Sequence, residues 1–209
     1  MTTKKATEAV TISPPKFGFI ELTLRGTAPY MQARFSAKAM QAMKDKHALG
    51  SQAKKGAKRE PRDFDQDFEQ AKHISSDGWV GIPAGAFRNA CIDVCRMVGF
   101  KMTHAKMSVF VEHDGLDKVD GQPLVRLVAD EPERVDMATR NATGVADIRV
   151  RPMWRKWEVT IRVKFDEDQF SASDVANLFA RAGAQVGVGE GRPFSKSSNG
   201  LGFGTFELV

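Results

Sequence analysis

Residues 157–165, Trp-Glu-Val-Thr-Ile-Arg-Val-Lys-Phe, alternate without a break. Trp157, Val159, Ile161, Val163 and Phe165 fall on one face; Glu158, Thr160, Arg162 and Lys164 fall on the other. A period of two sustained this long belongs to a strand with one face in a core and one in water. The apolar face is β-branched and aromatic, the composition that suits a pleated surface. Such a strand cannot stand alone. It needs neighbours to pair with and a layer of helix or sheet to cover its apolar side.

The rest of the chain offers both. Phe17 to Arg25 alternates in the same way, with Ile20, Leu22 and Leu24 opposite Glu21, Thr23 and Arg25, and Gly26 and Pro29 end it. Ser36 to Ala48 reads as a short helix capped by Ser36. Trp79 to Ile82 predicts a brief strand. Pro83 then opens a helix to Val98, where its missing N–H costs nothing. Phe87, Cys91, Val94, Cys95 and Val98 form its apolar stripe, and Gly99 stops it. Met107 to Glu112 and Leu124 to Val128 predict strands, and 129–146 reads as irregular. After the turn Asp166-Glu167-Asp168, Ser171 to Ala182 predicts a helix with Val175, Leu178, Phe179 and Ala182 inward and Gly183 as its end. A short strand around Gln185 to Val188 and a closing one at Gly202 to Val209 complete the list.

The principal elements run strand, helix, strand, strand, helix, strand. That order predicts an α+β fold with a ferredoxin-like or RRM-like core, an antiparallel sheet carrying two helices. One domain spans 16–209 after a flexible arm at 1–15. It carries a basic insertion at about 36–78, a second insertion at about 113–153 and a C-terminal glycine-rich loop.

Charge is unevenly placed. The formal net charge is +5. Residues 44–62 alone hold seven cations, including Lys54, Lys55, Lys58 and Arg59, against Asp45 and Glu60. This one stretch equals the whole excess. Concentrated positive charge suits a polyanion, because phosphate contacts release condensed counterions; a solvated loop accounts for the same composition. Two cysteines in 209 residues make no disulfide framework and point to a reducing compartment. No run approaches the length of a membrane span and the polar start lacks a signal-peptide core, so the expectation is a cytoplasmic protein with no membrane partner.

The C-terminal segment Ala182-Gly-Ala-Gln-Val-Gly-Val-Gly-Glu-Gly-Arg-Pro-Phe, followed by Asn199-Gly-Leu-Gly-Phe-Gly-Thr-Phe-Glu-Leu, resembles the glycine-rich loop of the RAMP superfamily, the RNA-binding proteins of CRISPR systems. Ile82-Pro83-Ala84-Gly85-Ala86-Phe87-Arg88 and Gly26-Thr27-Ala28-Pro29-Tyr30-Met31 are similar to segments of the backbone subunit of class 1 effector complexes. The order of features also looks like that of a group of bacteriophage proteins. The resemblance implies an RRM-like core, a groove that tracks a nucleic-acid backbone, and self-assembly into a helical row.

Seven glycines stand between Gly183 and Gly204, with Arg192 and Lys196 among them. Glycine lets successive N–H groups approach a phosphate, so Gly189, Gly191, Arg192 and Lys196 are candidate ligand contacts; a tight hairpin needing glycine only for its turns is the plainer account. Phe203, in Gly202-Phe203-Gly204, is a candidate base-stacking ring. Arg149, Arg151, Arg155 and Lys156 flank the best strand with Trp154 among them, a combination that binds single strands by charge and stacking. Basic residues on a sheet edge also guard against aggregation. Arg88 is a weaker candidate.

Catalytic and metal readings find less support. Cys91 and Cys95 lie on the apolar stripe, Asp63-x-Asp65-x-Asp67 lacks the glycine of a calcium loop, and His47 and His73 have no acid at a fixed spacing. The expectation is therefore a non-catalytic protein with no metal or cofactor, bound to single-stranded RNA or DNA and assembling along it as a homo-oligomer. Two alternatives stay open: a protein-interaction subunit or inhibitor of a CRISPR-like complex, and a metal-independent endoribonuclease.

Overall fold

A computed structural model describes residues 12–35, 37–49, 62–140, 144–196 and 198–209, the side chains of 37–39, 46, 49 and 140 excepted. The elements are β1 (Phe17–Gly26), β2 (Tyr30–Met31), α1 (Ala37–Leu49), α2 (Phe64–Gln70), β3 (Gly81–Pro83), α3 (Ala84–Val94), α4 (Met102–Ser108) and β4 (Val109–Val111). They continue as β5 (Gly115–Leu116), β6 (Pro123–Arg126), β7 (Glu133–Arg140), β8 (Ala146–Trp154), β9 (Glu158–Asp166), α5 (Ala172–Gln185) and β10 (Phe206–Leu208). The fold is α+β with antiparallel sheets.

The two alternating segments pair with each other. β1 and β9 run antiparallel in continuous register from Phe17↔Asp166 to Arg25↔Glu158. With β10 and β4 outside them they form a four-stranded sheet of order β10-β1-β9-β4. The parity read from the sequence fixes what is buried: Val159, Ile161 and Val163 are fully covered, whereas Thr160 and Arg162 are exposed. Helices α3 and α5 supply the cover, through Phe87, Cys91 and Val94 on one and Val175, Phe179 and Ala182 on the other. Each such apolar side chain contributes roughly 1.5–3 kcal/mol on burial. Cys91 and Cys95 belong to this core, and burial pushes the Cys91 thiol far above its ordinary pKa. Ser171 caps α5 by a reciprocal box: its hydroxyl accepts from Asp174 N–H, and the Asp174 carboxylate accepts from Ser171 N–H.

Several boundaries differ from the sequence reading. The helix expected to reach Val98 ends at Val94, and Val98 is substantially exposed. Residues 102–108 form α4 with Ala105 in the core, so the strand expected over 107–112 loses its first two residues to the helix and shrinks to β4. Gly183 lies inside α5 instead of ending it, and it is glycine for packing: a side chain there would overlap the Phe206 carbonyl of β10. Residues 186–188 follow the helix as a turn, not a strand.

The largest correction concerns 129–146. Instead of irregular chain, it contains β7 and the start of β8, paired in register from Glu133↔Met153 to Arg140↔Ala146. Apolar alternation in the hairpin is short, Val135 and Met137 on β7 and Ile148 and Val150 on β8, and little of β7 is covered: Arg134, Asp136 and Ala138 are exposed. β8 is buried at Val150 and then from Pro152 to Trp154, where β2 pairs with it through Tyr30↔Trp154 and Met31↔Met153. A third sheet, β3-β6-β5, closes beside the start of α3. Pro83 pairs within it and also stands at the N-cap of α3.

Candidate nucleic-acid cleft

The C-terminal loop returns across the end of β1. Glu190 N–H donates to Met31 O at 2.9 Å, Gly204 N–H to Pro29 O at 2.7 Å, and Val188 N–H to Gly204 O at 2.9 Å. The contacts are too close for side chains. A Cβ on Gly189 would stand 2.5 Å from Met31 O and 2.6 Å from the Tyr30 ring, and one on Gly204 would overlap Val188 O. Both residues also hold positive φ. Part of the loop's backbone, at Val188, Glu190 and Gly204, is thus spent on the protein's own carbonyls.

Between this loop, the β7–β8 hairpin and the start of α3 lies a cleft of about 1150 Å³. It gathers six of the residues expected from the sequence: Arg149, Arg151, Gly189, Gly191, Arg192 and Lys196. Arg149 and Arg151 share one face of β8 by strand parity and both reach Glu190, Arg149 Nη1 at 3.3 Å. Arg192 Nη1 donates to Gly189 O at 2.9 Å and so braces its own loop, while Lys196 is exposed. Among the described residues, four cations therefore face one carboxylate in a single concavity.

Other expected residues lie elsewhere. Trp154 is 3% exposed and stacked on Tyr30 at 5.7 Å between ring centroids, so its face is not available to a base. Arg155 and Lys156 are exposed in the β8–β9 turn outside the cleft, and Arg155 Nε pairs with Glu133 at 2.7 Å. Arg88 is a structural tie: its guanidinium donates to Val109 O at 2.8 Å and to Lys106 O, and lies over the Phe110 ring. Phe203 is half-buried, its N–H donates to Gly191 O, and it does not line the cleft. Lys54, Lys55, Lys58 and Arg59 fall outside the described residues.

The cleft floor holds His73, one of the two histidines weighed from the sequence, together with Tyr30, Gln32, Arg34 and Asp117, which sequence reasoning missed. Gln32 Nε2 donates to Gly81 O at 2.7 Å and lies 3.1 Å from the Tyr30 hydroxyl, and Gln32 Oε1 accepts from His73 N–H. Burial raises the Tyr30 pKa well above its ordinary value. His73 Nδ1 stands 3.0 Å from Asp117 Oδ2, and the Arg34 Nε stands 3.2 Å from the same oxygen. The Asp117 side chain is fully buried and that of Arg34 is 5% exposed. Arg34 Nη2 has no hydrogen-bond partner among the described residues. Desolvation lowers the His73 pKa against the opposing pull of Asp117. His73 and Asp117 are 44 residues apart, with no motif to join them; the antiparallel bridges Ile74↔Val80 and Ser75↔Asp117 bring them together.

Among the described residues, no group of three or more His, Cys, Asp or Glu side chains is placed to hold a metal ion, and no helix is long and apolar enough to cross a membrane. Asp63, first residue of the calcium-like triplet, instead caps α2 by accepting from Asp65 and Gln66 N–H. No protein-family model matches the chain, and no curated protein is significantly similar to it.

Proposed function

We propose that this protein binds single-stranded nucleic acid in the cleft between the C-terminal loop and the β7–β8 hairpin, and that copies assemble along the bound strand. One observation carries the reading. Arg149 and Arg151, some forty residues before Arg192 and Lys196 in the chain, line the same concavity with them, and Glu190 is the one carboxylate among its described lining residues. Phosphates compete with Glu190 for Arg149, whose side chain is 37% exposed, and find Lys196 unscreened by burial. The glycine contacts serve this site indirectly, by pinning Glu190 and Arg192 against β2.

The core that presents the cleft is, in this reading, ferredoxin-like and of the RAMP type. Supporting it are the strand–helix–strand, strand–helix–strand order of β1, α3, β4, β9, α5 and β10 and the spatial order β10-β1-β9-β4, in which each crossover leaves a strand between the two it joins. The exposed Phe35 at the cleft and Ile148 on the hairpin favour a second reading, in which the cations meet an acidic protein surface.

The test is fluorescence anisotropy with labelled oligo-uridine and oligo-thymidine over a salt series. Binding is expected to weaken steeply with salt. The triple variant Arg149→Ala/Arg192→Ala/Lys196→Ala is expected to flatten the log–log slope by about 0.7 for each phosphate it no longer neutralises. Absence of binding to either polymer at low salt rejects the proposal. A partner retained after nuclease treatment would support the second reading.

A further inference from the structure

The arginine pair on β8 faces a cleft that already holds an anion of the protein's own. We propose that Glu190 is an autoinhibitory contact, whose carboxylate takes the place of a strand phosphate between Arg149 and Arg151. A strand is fully seated only after displacing it. The inference rests on the cleft being a nucleic-acid site and adds the device that weakens that site.

The carboxylate is forked across the pair. Glu190 Oε1 stands 3.3 Å from Arg149 Nη1, and Oε2 meets Arg151 Nε. Two oxygens of one phosphate make the same charge-assisted contacts. The Glu190 side chain is 16% exposed and that of Arg151 18%, so a phosphate reaches Arg151 by taking the carboxylate's position. Arg151 is also held in place, its Nη1 donating to Val150 O at 3.0 Å.

The backbone keeps Glu190 where it is. Its N–H donates to Met31 O at 2.9 Å, and Gly189 and Gly191 on either side hold φ of +82° and +76°. Displacement is therefore left to the Glu190 side-chain torsions, which have room in a cleft of about 1150 Å³. Fastening the loop does not require the carboxylate. The backbone bonds of Glu190 and Gly204 to Met31 O and Pro29 O tie the loop to the segment after β1, and Arg192 Nη1 braces it through Gly189 O. Nor does a fixed negative charge help a polyanion, since it repels every phosphate within a Debye length. A strand held first at the exposed Lys196 brings its next phosphates to the pair at high effective concentration, and these displace Glu190.

The experiment measures anisotropy of labelled oligo-uridine and oligo-thymidine with the full chain, as parent, Glu190→Gln and Glu190→Ala, over a salt series. Glu190→Gln keeps the size of the side chain and removes its charge. It is expected to tighten binding about 10-fold, on the order of one charged hydrogen bond released. The log–log salt slope is expected to steepen by about 0.7 for each phosphate newly neutralised. Glu190→Ala is expected to act in the same direction, and both variants to melt within a few degrees of the parent because the anchoring N–H is backbone. Arg151→Ala alone is expected to change affinity less than about 3-fold, because Glu190 already occupies that arginine. Made in the Glu190→Gln background, the same change is expected to lose about the 10-fold gained. Weaker or unchanged binding in both Glu190 variants overturns this inference alone, as does an Arg151→Ala loss of equal size in both backgrounds. Failure of the parent and both Glu190 variants to bind either polymer at low salt overturns the binding proposal as well.

Discussion

Gly202 and Gly204 form a matched pair that separates two reasons for glycine in the C-terminal loop. Both hold positive φ, +81° and +66°. Nothing lies within 4 Å of a Cβ built on Gly202, whereas one on Gly204 overlaps the Val188 carbonyl. Gly202→Ala is expected to cost only the left-handed backbone penalty, about 1 kcal/mol. Gly204→Ala adds the displacement of a buried backbone, about 1–3 kcal/mol, and strains the flanking hydrogen bonds to Pro29 O and from Val188 N–H, at about 1 kcal/mol for the two together. The sum is about 4 kcal/mol. For a chain of this size, thermal midpoints should fall by about 3 °C in the first case and about 12 °C in the second. Urea unfolding followed by tryptophan fluorescence reads the same difference, because Trp154 and Trp157 are buried near the loop's anchor at Tyr30. Equal losses in the two variants would refute the claim that close packing, rather than backbone conformation alone, holds the loop down.

Two further outcomes follow from the cleft floor. Asp117→Ala leaves Arg34 buried without its counter-charge and should cost about 3–5 kcal/mol in urea unfolding, whereas replacing Arg34 and Asp117 together with apolar residues should cost less. His73 titrates lower when folded, so the unfolded chain takes up its proton first. The stability this group confers is therefore full above about pH 6.5 and is lost as pH falls from there toward the folded value. Urea midpoints measured from pH 5 to 8 should show that slope, and His73→Gln should remove its share.

How much of this was legible follows from how local each signal is. Alternation in 17–25 and 157–165 identified the two central strands and the face each buries, because strand parity is a property of adjacent residues. The stripe containing Phe87, Cys91 and Val94 identified the covering helix for the same reason. The β7–β8 hairpin escaped because its exposed half carries only Val135 and Met137 as an apolar pattern, too short to stand out, while its pairing to β8 runs the whole length of β7. Trp154 looked free because it sits beside Arg155 and Lys156; its ring is claimed by Tyr30, from the far end of the sequence. Residues grouped by composition, such as Arg151 and Arg155, separated in space because they stand on the strand and in the turn beyond it.

The site divides along the same line. The sequence alone determined that 183–204 forms a cation-bearing, glycine-rich loop and that Arg149 and Arg151 flank the best strand, since both are statements about near neighbours. Only the tertiary structure decided that Glu190 meets those arginines and that the Glu190 and Gly204 N–H groups bond Met31 and Pro29. It alone joined His73 to Asp117 and Arg34. Such contacts depend on where sheets and loops return the chain, and no spacing along the sequence records that distance.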